Sequence, residues 1–281
     1  MSVKRHLEIL AQDSRYAARG LLRSPAFAYA AVFAIALGVG AGTAVFSVVD
    51  LILFRSLPYT QADRLVSFGM VAPIAPQEFM LGYDFLDWRA SQTPFESIAS
   101  WSGVGDCDLT GRNPVHLRCA RVDSALLPVL GIRPVLGRNF TPREDRPNTP
   151  KVALVSYGLW QTRYAADPGV VGQTVSLDGQ PVTIWGVLPP HFELPSLAPA
   201  DLLVPQALDE AEQVTRRTAT LLWSIGRLKP GVTVPQARAA LQPLFESSLQ
   251  AVSPEFRKEV KLRIRSGLPH RSRRGRKASA T

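Results

Sequence analysis

Two cysteines, three methionines and four histidines in 281 residues leave little material for metal or redox chemistry. The histidines, at 6, 116, 191 and 270, are scattered. Only His116 lies near other ligand-type side chains: Asp106, Cys107, Asp108 and Cys119. Two cysteines with eleven residues between them and one histidine are a poor zinc pattern, so a surface histidine on a hairpin is the expectation. No Gly-x-x-x-x-Gly-Lys-Ser/Thr occurs, so the chain has no loop to cradle phosphates, and any ATP must be hydrolysed by another protein. Gly-x-Ser-x-Gly and His-Glu-x-x-His are also missing. The expectation is a protein that is not an enzyme, with no catalytic residue, cofactor or metal.

Long apolar runs are almost as scarce, and there is a single one: residues 24 to 49 contain no charge. At about 1.5 Å per residue a helix of that length crosses a hydrocarbon layer of roughly 30 Å, where a helix also satisfies its own backbone groups. A transmembrane helix over 24–54 is therefore expected. Within it Ala30, Ala34, Gly38 and Gly42 recur every four residues and form one strip of small side chains, along which another helix can approach closely. The alternative is that Ala and Gly are simply common in membrane helices. A cleaved signal peptide ending near Ala41-Gly-Thr-Ala44 is the rival reading of the whole run, opposed by the apolar residues that continue through Val49 and Leu51 to Phe54.

Charge of one sign is concentrated in one place. The net +9 sits in residues 257–281, which hold ten Lys or Arg against the single acid Glu259; the remainder of the chain is neutral. That excludes a basic nucleic-acid-binding face on the folded part and predicts a disordered basic tail over 267–281. At the other end Lys4, Arg5, Arg15, Arg19 and Arg23 alternate with Leu7, Leu10, Ala17 and Leu21, as in an amphipathic helix over 1–23 lying on anionic lipid. Beyond the apolar run come only Arg55 and Arg64, so the positive-inside bias places the N-terminus in the cytoplasm and the bulk of the chain outside.

Between these ends the patterns mix strands with short helices and lack regular βαβ alternation, which argues for an α+β domain. Arg64 to Gly69 reads as a strand, 70–78 with Pro73 and Pro76 as a loop, and Tyr83, Phe85, Leu86, Trp88 and Phe95 as an aromatic helical patch. Ile98 to Leu109 and Val115 to Val122 read as a hairpin turning at 110–114. Such pairing sets Cys107 and Cys119 nearly opposite one another, a candidate disulfide in an oxidising compartment; a register error of one residue would turn them to opposite faces. Asp123 can start a short helix that Gly131 ends. Lys151 to Val155 is a strand running into a helix from Tyr157 to Tyr164, whose Tyr157, Trp160 and Tyr164 point to the core. Asp178-Gly179 between Thr174–Leu177 and Val182–Val187 predicts a two-residue hairpin turn. Thr220–Leu228 is a strand, and Thr233 with Gln236 forms a capping box for a helix toward Leu249, strained by Pro243.

Several segments resemble the MacB-type permeases of ABC transporters, in particular bacterial permeases without an ATPase of their own. At the membrane entry these are Ser24-Pro-Ala-Phe27, Ala36-Leu-Gly-Val-Gly-Ala-Gly-Thr-Ala-Val-Phe-Ser-Val-Val49 and Leu53-Phe-Arg-Ser-Leu-Pro-Tyr59. In the soluble part they are Leu130-Gly-Ile-Arg-Pro-Val-Leu-Gly-Arg-Asn-Phe140, Val155-Ser-Tyr-Gly-Leu-Trp-Gln161, Asp167-Pro-Gly-Val-Val-Gly172, Gly186-Val-Leu-Pro-Pro-His-Phe192 and Arg227-Leu-Lys-Pro-Gly-Val-Thr233. The resemblance spans roughly residues 13 to 265 and implies a MacB-like periplasmic core domain over 55–266. In that family further membrane helices follow; here the sequence passes into the basic tail, as in a truncated, frameshifted or split permease. What the resemblance implies is the N-terminal part of an ABC-transporter permease subunit in the bacterial inner membrane, serving export or mechanical coupling and inactive in transport alone. Its expected partners are membrane lipid, an ATP-binding subunit, other permease helices and a periplasmic protein, with no nucleic acid. A membrane-anchored periplasmic interaction module without transport is the alternative.

Overall fold

The computed structural model describes residues 29–30, 33–40, 42–43, 59–73, 75–91, 94–111, 113–209, 211, 220–250 and 252–266. The amphipathic helix expected over 1–23 and the tail 267–281 lie outside the described residues, as does most of 24–54. The chain divides into two units, 1–57 and 58–281. In the first, residues 29–30, 33–40 and 42–43 are helical, and Ala30, Ala34, Gly38 and Gly42 are among them, all exposed. A Cβ added at Gly38 or Gly42 would meet nothing within 4 Å. Among the described residues no helix is long and apolar enough to cross a membrane.

The second unit is built on one mixed sheet. Its strands are β1 (Leu65–Ala72), β2 (Ala75–Leu81), β3 (Phe95–Thr110), β4 (Val115–Val122), β5 (Leu136–Gly137), β6 (Val152–Val155), β7 (Thr174–Leu177), β8 (Gln180–Val187), β9 (Leu202–Pro205), β10 (Leu221–Leu228) and β11 (Lys261–Ser266). They are arranged in the order β11-β1-β2-β10-β3-β4-β9-β6-β8-β5, with β1 also pairing β10 and β7 bridging β3 and β8. Most pairs are antiparallel; β4–β9 and β6–β8 are parallel. The helices among the described residues include α1 (Gly82–Ala90), α2 (Leu126–Leu130), α3 (Tyr157–Tyr164), α4 (Val234–Leu249) and α5 (Pro254–Arg257).

Local chemistry explains most of these elements. Asp178 and Gly179 take positive φ of 50° and 74°, so β7 and β8 close through the turn that their sequence favours. Thr233 and Gln236 bond reciprocally at the start of α4, satisfying N–H groups that a helix end otherwise leaves bare. Gly131 ends α2 with φ of 71°, a conformation costly for any residue with a Cβ. The loop expected over 70–78 is instead a tight turn between β1 and β2. Met70 pairs with Phe79 and Ala72 with Ala75, and the irregularity between the two pairs takes up Pro76, which has no N–H to donate. At Gly69 the two strands approach so closely that a Cβ would come within 2.6 Å of the Phe79 carbonyl oxygen.

Two hydrophobic clusters stand out among the described residues of the sheet. One gathers Phe68, Phe85, Trp88, Phe95, Leu241, Phe245 and Ile264 under α1 and α4. The Phe68 ring stacks on those of Phe95 and Trp88, with centroids 4.7 and 6.1 Å away. The other gathers Leu109, Leu117, Val155, Val170, Val182, Ile184 and Val187. Tyr157, Trp160 and Tyr164 pack against this second cluster but are half-buried rather than core: α3 has no fully buried residue, and the Trp160 indole N–H reaches out to the Asp167 carbonyl at 2.9 Å. β3, at 16 residues, runs through both clusters: its first half pairs β10 and its second half pairs β4 and β7.

Candidate functional site: the collar at the chain entry

The segment Tyr59–Arg64 delivers the chain into β1, and it is tied down from three directions. The Tyr59 phenol donates to the Glu193 carbonyl at 2.9 Å. Burial is the main cause that holds this phenol far above its usual pKa, with the Glu193 carboxylate adding to it, so it stays a neutral donor. The Thr60 hydroxyl reaches the Gly131 carbonyl at 3.4 Å. Arg64 donates through Nε to the Leu228 carbonyl at 2.9 Å and forms an ion pair with Glu96.

Arg227 completes this collar from β10. Its side chain is 7% exposed as a residue, and its Nη2 donates to the Val129 carbonyl at 2.6 Å at the end of α2. Its Nη1 donates to the Gln61 carbonyl at 3.3 Å. Desolvation lowers the pKa of this guanidinium, and the nearby positive charge of Arg64 lowers it further; arginine nonetheless stays protonated at any physiological pH. The collar therefore fixes the entry segment to α2 and β10 with charged donors on main-chain acceptors, which are stronger than neutral pairs, and to the 193 loop with the neutral Tyr59 phenol.

The last strand leaves at the same place. β11 runs antiparallel to β1, pairing Ser67 with Arg265, so the end of β11 lies beside the start of β1. Buried Glu78 on β2 holds β11 through Arg265 Nε at 2.9 Å and Arg263 Nη1 at 3.8 Å. The described domain thus receives and releases the chain through neighbouring strands at one edge.

A second set of carboxylates braces the loops on the far side of α2. Asp123 accepts from Arg89 Nη1 at 3.1 Å and from the Ala125 N–H at 2.8 Å; Asp145 accepts from the N–H groups of Ser124 and Ala207. Burial chiefly raises the pKa of Asp123 to about 6, with the Asp145 charge adding to it, and burial raises that of Asp145. They line a cleft of about 500 Å³. Both carboxylates accept main-chain N–H groups and so brace the loops they join.

On the β3–β4 hairpin, Cys107 and Cys119 form a disulfide with Cα atoms 5.9 Å apart. They are diagonal rather than opposite, since Cys107 pairs with Leu117 and Cys119 with Gly105; an offset of two keeps both on one face. His116 lies on the same hairpin with Nδ1 2.8 Å from Asp108 and Nε2 3.4 Å from Asp106, both exposed; the bond to Asp108 is the main cause that raises its pKa. Among the described residues no group of three ligand-type side chains fit to hold a metal occurs. The arginine collar is not foreseen from sequence; the only hint is Arg227 at the end of a strand otherwise made of apolar and small residues.

The family model for the MacB-like periplasmic core domain matches residues 29–244. Among solved structures, the chain is similar to the extracellular domain of the noncanonic ABC-type transporter YknZ from Gram-positive bacteria. Identity there is 11%, over 71% of this chain and 99% of that one, with a TM-score of 0.51. It is likewise similar to the periplasmic region of MacB from Actinobacillus actinomycetemcomitans, at 14% identity over 72% of this chain and 89% of that one, with a TM-score of 0.52. No curated protein matches. At such identities the solved structures speak to the fold, and the family match covers most of the chain: the protein belongs to the MacB-like periplasmic core domain family.

Proposed function

We propose that the chain is a non-catalytic permease part of an ABC transporter, anchored in the inner membrane by residues 24–54 with its N-terminus cytoplasmic and its MacB-like domain periplasmic. Motion of an anchoring helix would then reach the domain through the collar, in export or in mechanical coupling across the membrane. An ATP-binding subunit supplies the energy, and other permease helices pack along Ala30, Ala34, Gly38 and Gly42. The observation that carries this reading is the tethering of Tyr59–Arg64 at both side chain and main chain, because a loosely attached entry would dissipate any displacement. The exit of β11 beside it supports the same view, since both connections lie at one edge of the sheet.

The first test is topological. An alkaline phosphatase fused after Leu65 should be active, because that enzyme folds only in an oxidising compartment. A cytoplasmic reporter that is active at the same position, with an inactive phosphatase, overturns the orientation and with it the coupling role.

A further inference from the structure

A cleft of about 290 Å³ opens beside the hairpin disulfide; it shares Arg146 and Pro147 with the cleft at the carboxylate brace. That volume lies at the small end of the roughly 300–1,000 Å³ typical of ligand pockets. Its mixed lining includes two groups of note. One is apolar: the Cys107–Cys119 disulfide together with Leu177, Val182 and Val204. The other is cationic: Arg121, Arg146 and Lys151, each exposed.

The charges around the cleft are unevenly engaged. Each lining acid has a polar partner, but only Glu144 is paired with an arginine. Glu144 is held by both terminal nitrogens of Arg138 at 2.7 and 2.9 Å, which is the main cause of its pKa falling to about 2. Asp178 accepts the Asp108 N–H at 2.7 Å, and Asp106 faces the imidazole of His116. None of the three cations forms an ion pair or a side-chain hydrogen bond among the described residues. Arg121, Arg146 and Lys151 share the cleft with Asp106, Glu144 and Asp178; with Glu144 neutralised by Arg138, three cations face two remaining carboxylates, a surplus of positive charge that favours an anion, and the apolar wall rewards a ligand that also carries hydrocarbon.

We propose that this cleft binds a small amphiphilic anion, a phosphate or carboxylate head on a short apolar body, with Arg121, Arg146 and Lys151 at the head and the disulfide, Leu177 and Val182 at the body. The head stays at the rim, where the cations are solvated, so binding weakens with added salt. The apolar body displaces water from the slot and makes the ligand better than its head alone. The disulfide is part of the wall, so the cleft belongs to the oxidised protein.

Monobutyl phosphate tests the idea, titrated calorimetrically into the purified full chain held in nanodiscs of zwitterionic lipid. The expected Kd is of the order of 1 mM or tighter, in line with the efficiency of small ligands. Inorganic phosphate and butan-1-ol should each bind at least about tenfold more weakly, because each lacks one half of the recognition. The double variant Arg121→Gln/Lys151→Gln should also bind about tenfold more weakly with an unchanged thermal midpoint, whereas Arg238→Gln on the exposed face of α4 should bind as the parent does. Repeating the titration in discs that contain phosphatidylglycerol separates two sources of the same head: competition by the discs identifies a lipid headgroup, and unaltered binding identifies a soluble ligand. Inorganic phosphate binding as tightly as the butyl ester, no saturation up to tens of millimolar, or full binding by the double variant would each overturn the proposal.

Discussion

The half of the sheet that takes in and releases the chain is packed with rings, whereas the half that carries the hairpin is packed with branched aliphatic side chains and a disulfide. Phe68, Phe85, Trp88, Phe95 and Phe245 fill the first, under two helices; Val155, Val182, Ile184 and Val187 fill the second, with only half-buried aromatics on α3. Large rings bury the most area per residue, so the strands at the chain connections rest on a densely packed cluster. The hairpin half has less to bury and gains order from a covalent link that restricts the unfolded chain. Stiffness in the first half is thus a matter of packing, and in the second of connectivity.

The sharpest way to break this contrast is to remove a ring. Phe68→Ala deletes a side chain with 0% exposure that stacks on two others, and the cavity left in a packed core should cost about 3 to 5 kcal/mol. Urea denaturation should show that loss as a lowered midpoint with an unchanged slope; a loss below about 1 kcal/mol would mean that the ring cluster is not the keystone of its half. Removing the disulfide with Cys107→Ser/Cys119→Ser should cost somewhat less, about 2 to 3 kcal/mol from chain entropy for a loop of this length. Amide exchange should rise along β3 and β4 beyond residue 104 and stay unchanged at Phe68, where the two halves are expected to behave independently.

Asp84 distinguishes the halves by pH. It lies on α1 against the ring cluster, 2% exposed, and burial, reinforced by the Asp87 charge and opposed by a hydrogen bond to Ser248, raises its pKa to about 6. A carboxyl whose folded pKa exceeds its unfolded value of 3.8 favours folding when protonated. The contribution is full below about pH 4 and is lost as pH rises through 6. The parent should therefore lose about 2 kcal/mol relative to Asp84→Asn between pH 4 and pH 7, since each tenfold difference in proton affinity between the folded and unfolded chain is worth roughly 1.4 kcal/mol. Thermal midpoints for both proteins across that range check it, and parallel curves would remove the buried charge from the account.

What could be read from sequence follows the range of the signals. The β7–β8 turn, the capping box of α4 and the end of α2 at Gly131 are contained within a few residues, and the structure shows them where the local chemistry places them. β9 and β11 have no such signal. β9 is four residues whose parallel pairing with β4 depends on partners about 83 positions away, and β11 alternates charged with apolar residues at a sheet edge, a pattern that also suits an exposed loop. The turn between β1 and β2 is hidden by Pro73 beside it and Pro76 within β2. The collar is least legible, because Arg227 acts on the main-chain carbonyls of Gln61 and Val129, and a carbonyl carries no sequence signature.

That collar gives the smallest change in stability and the most local one. Arg227→Met keeps the length of the side chain but leaves the Val129 and Gln61 carbonyls without their donor, at a cost of about 1 to 3 kcal/mol. Part of this is recovered because a guanidinium no longer has to be desolvated between α2 and β10. A net loss of about 1 kcal/mol, or 2 to 4 °C in Tm, is expected for a domain of this size. The effect at the chain entry should be far larger than that number suggests, since Gln61 loses an anchor while Phe68 and the ring cluster keep theirs. Amide exchange should accelerate at least about tenfold over residues 60–64 and stay within about twofold in β1 beyond Phe68. Equal acceleration at both places would mean that the entry segment opens only with the whole ring-packed half, so that Arg227 would be one more core contact and not a coupling between the chain entry and the sheet.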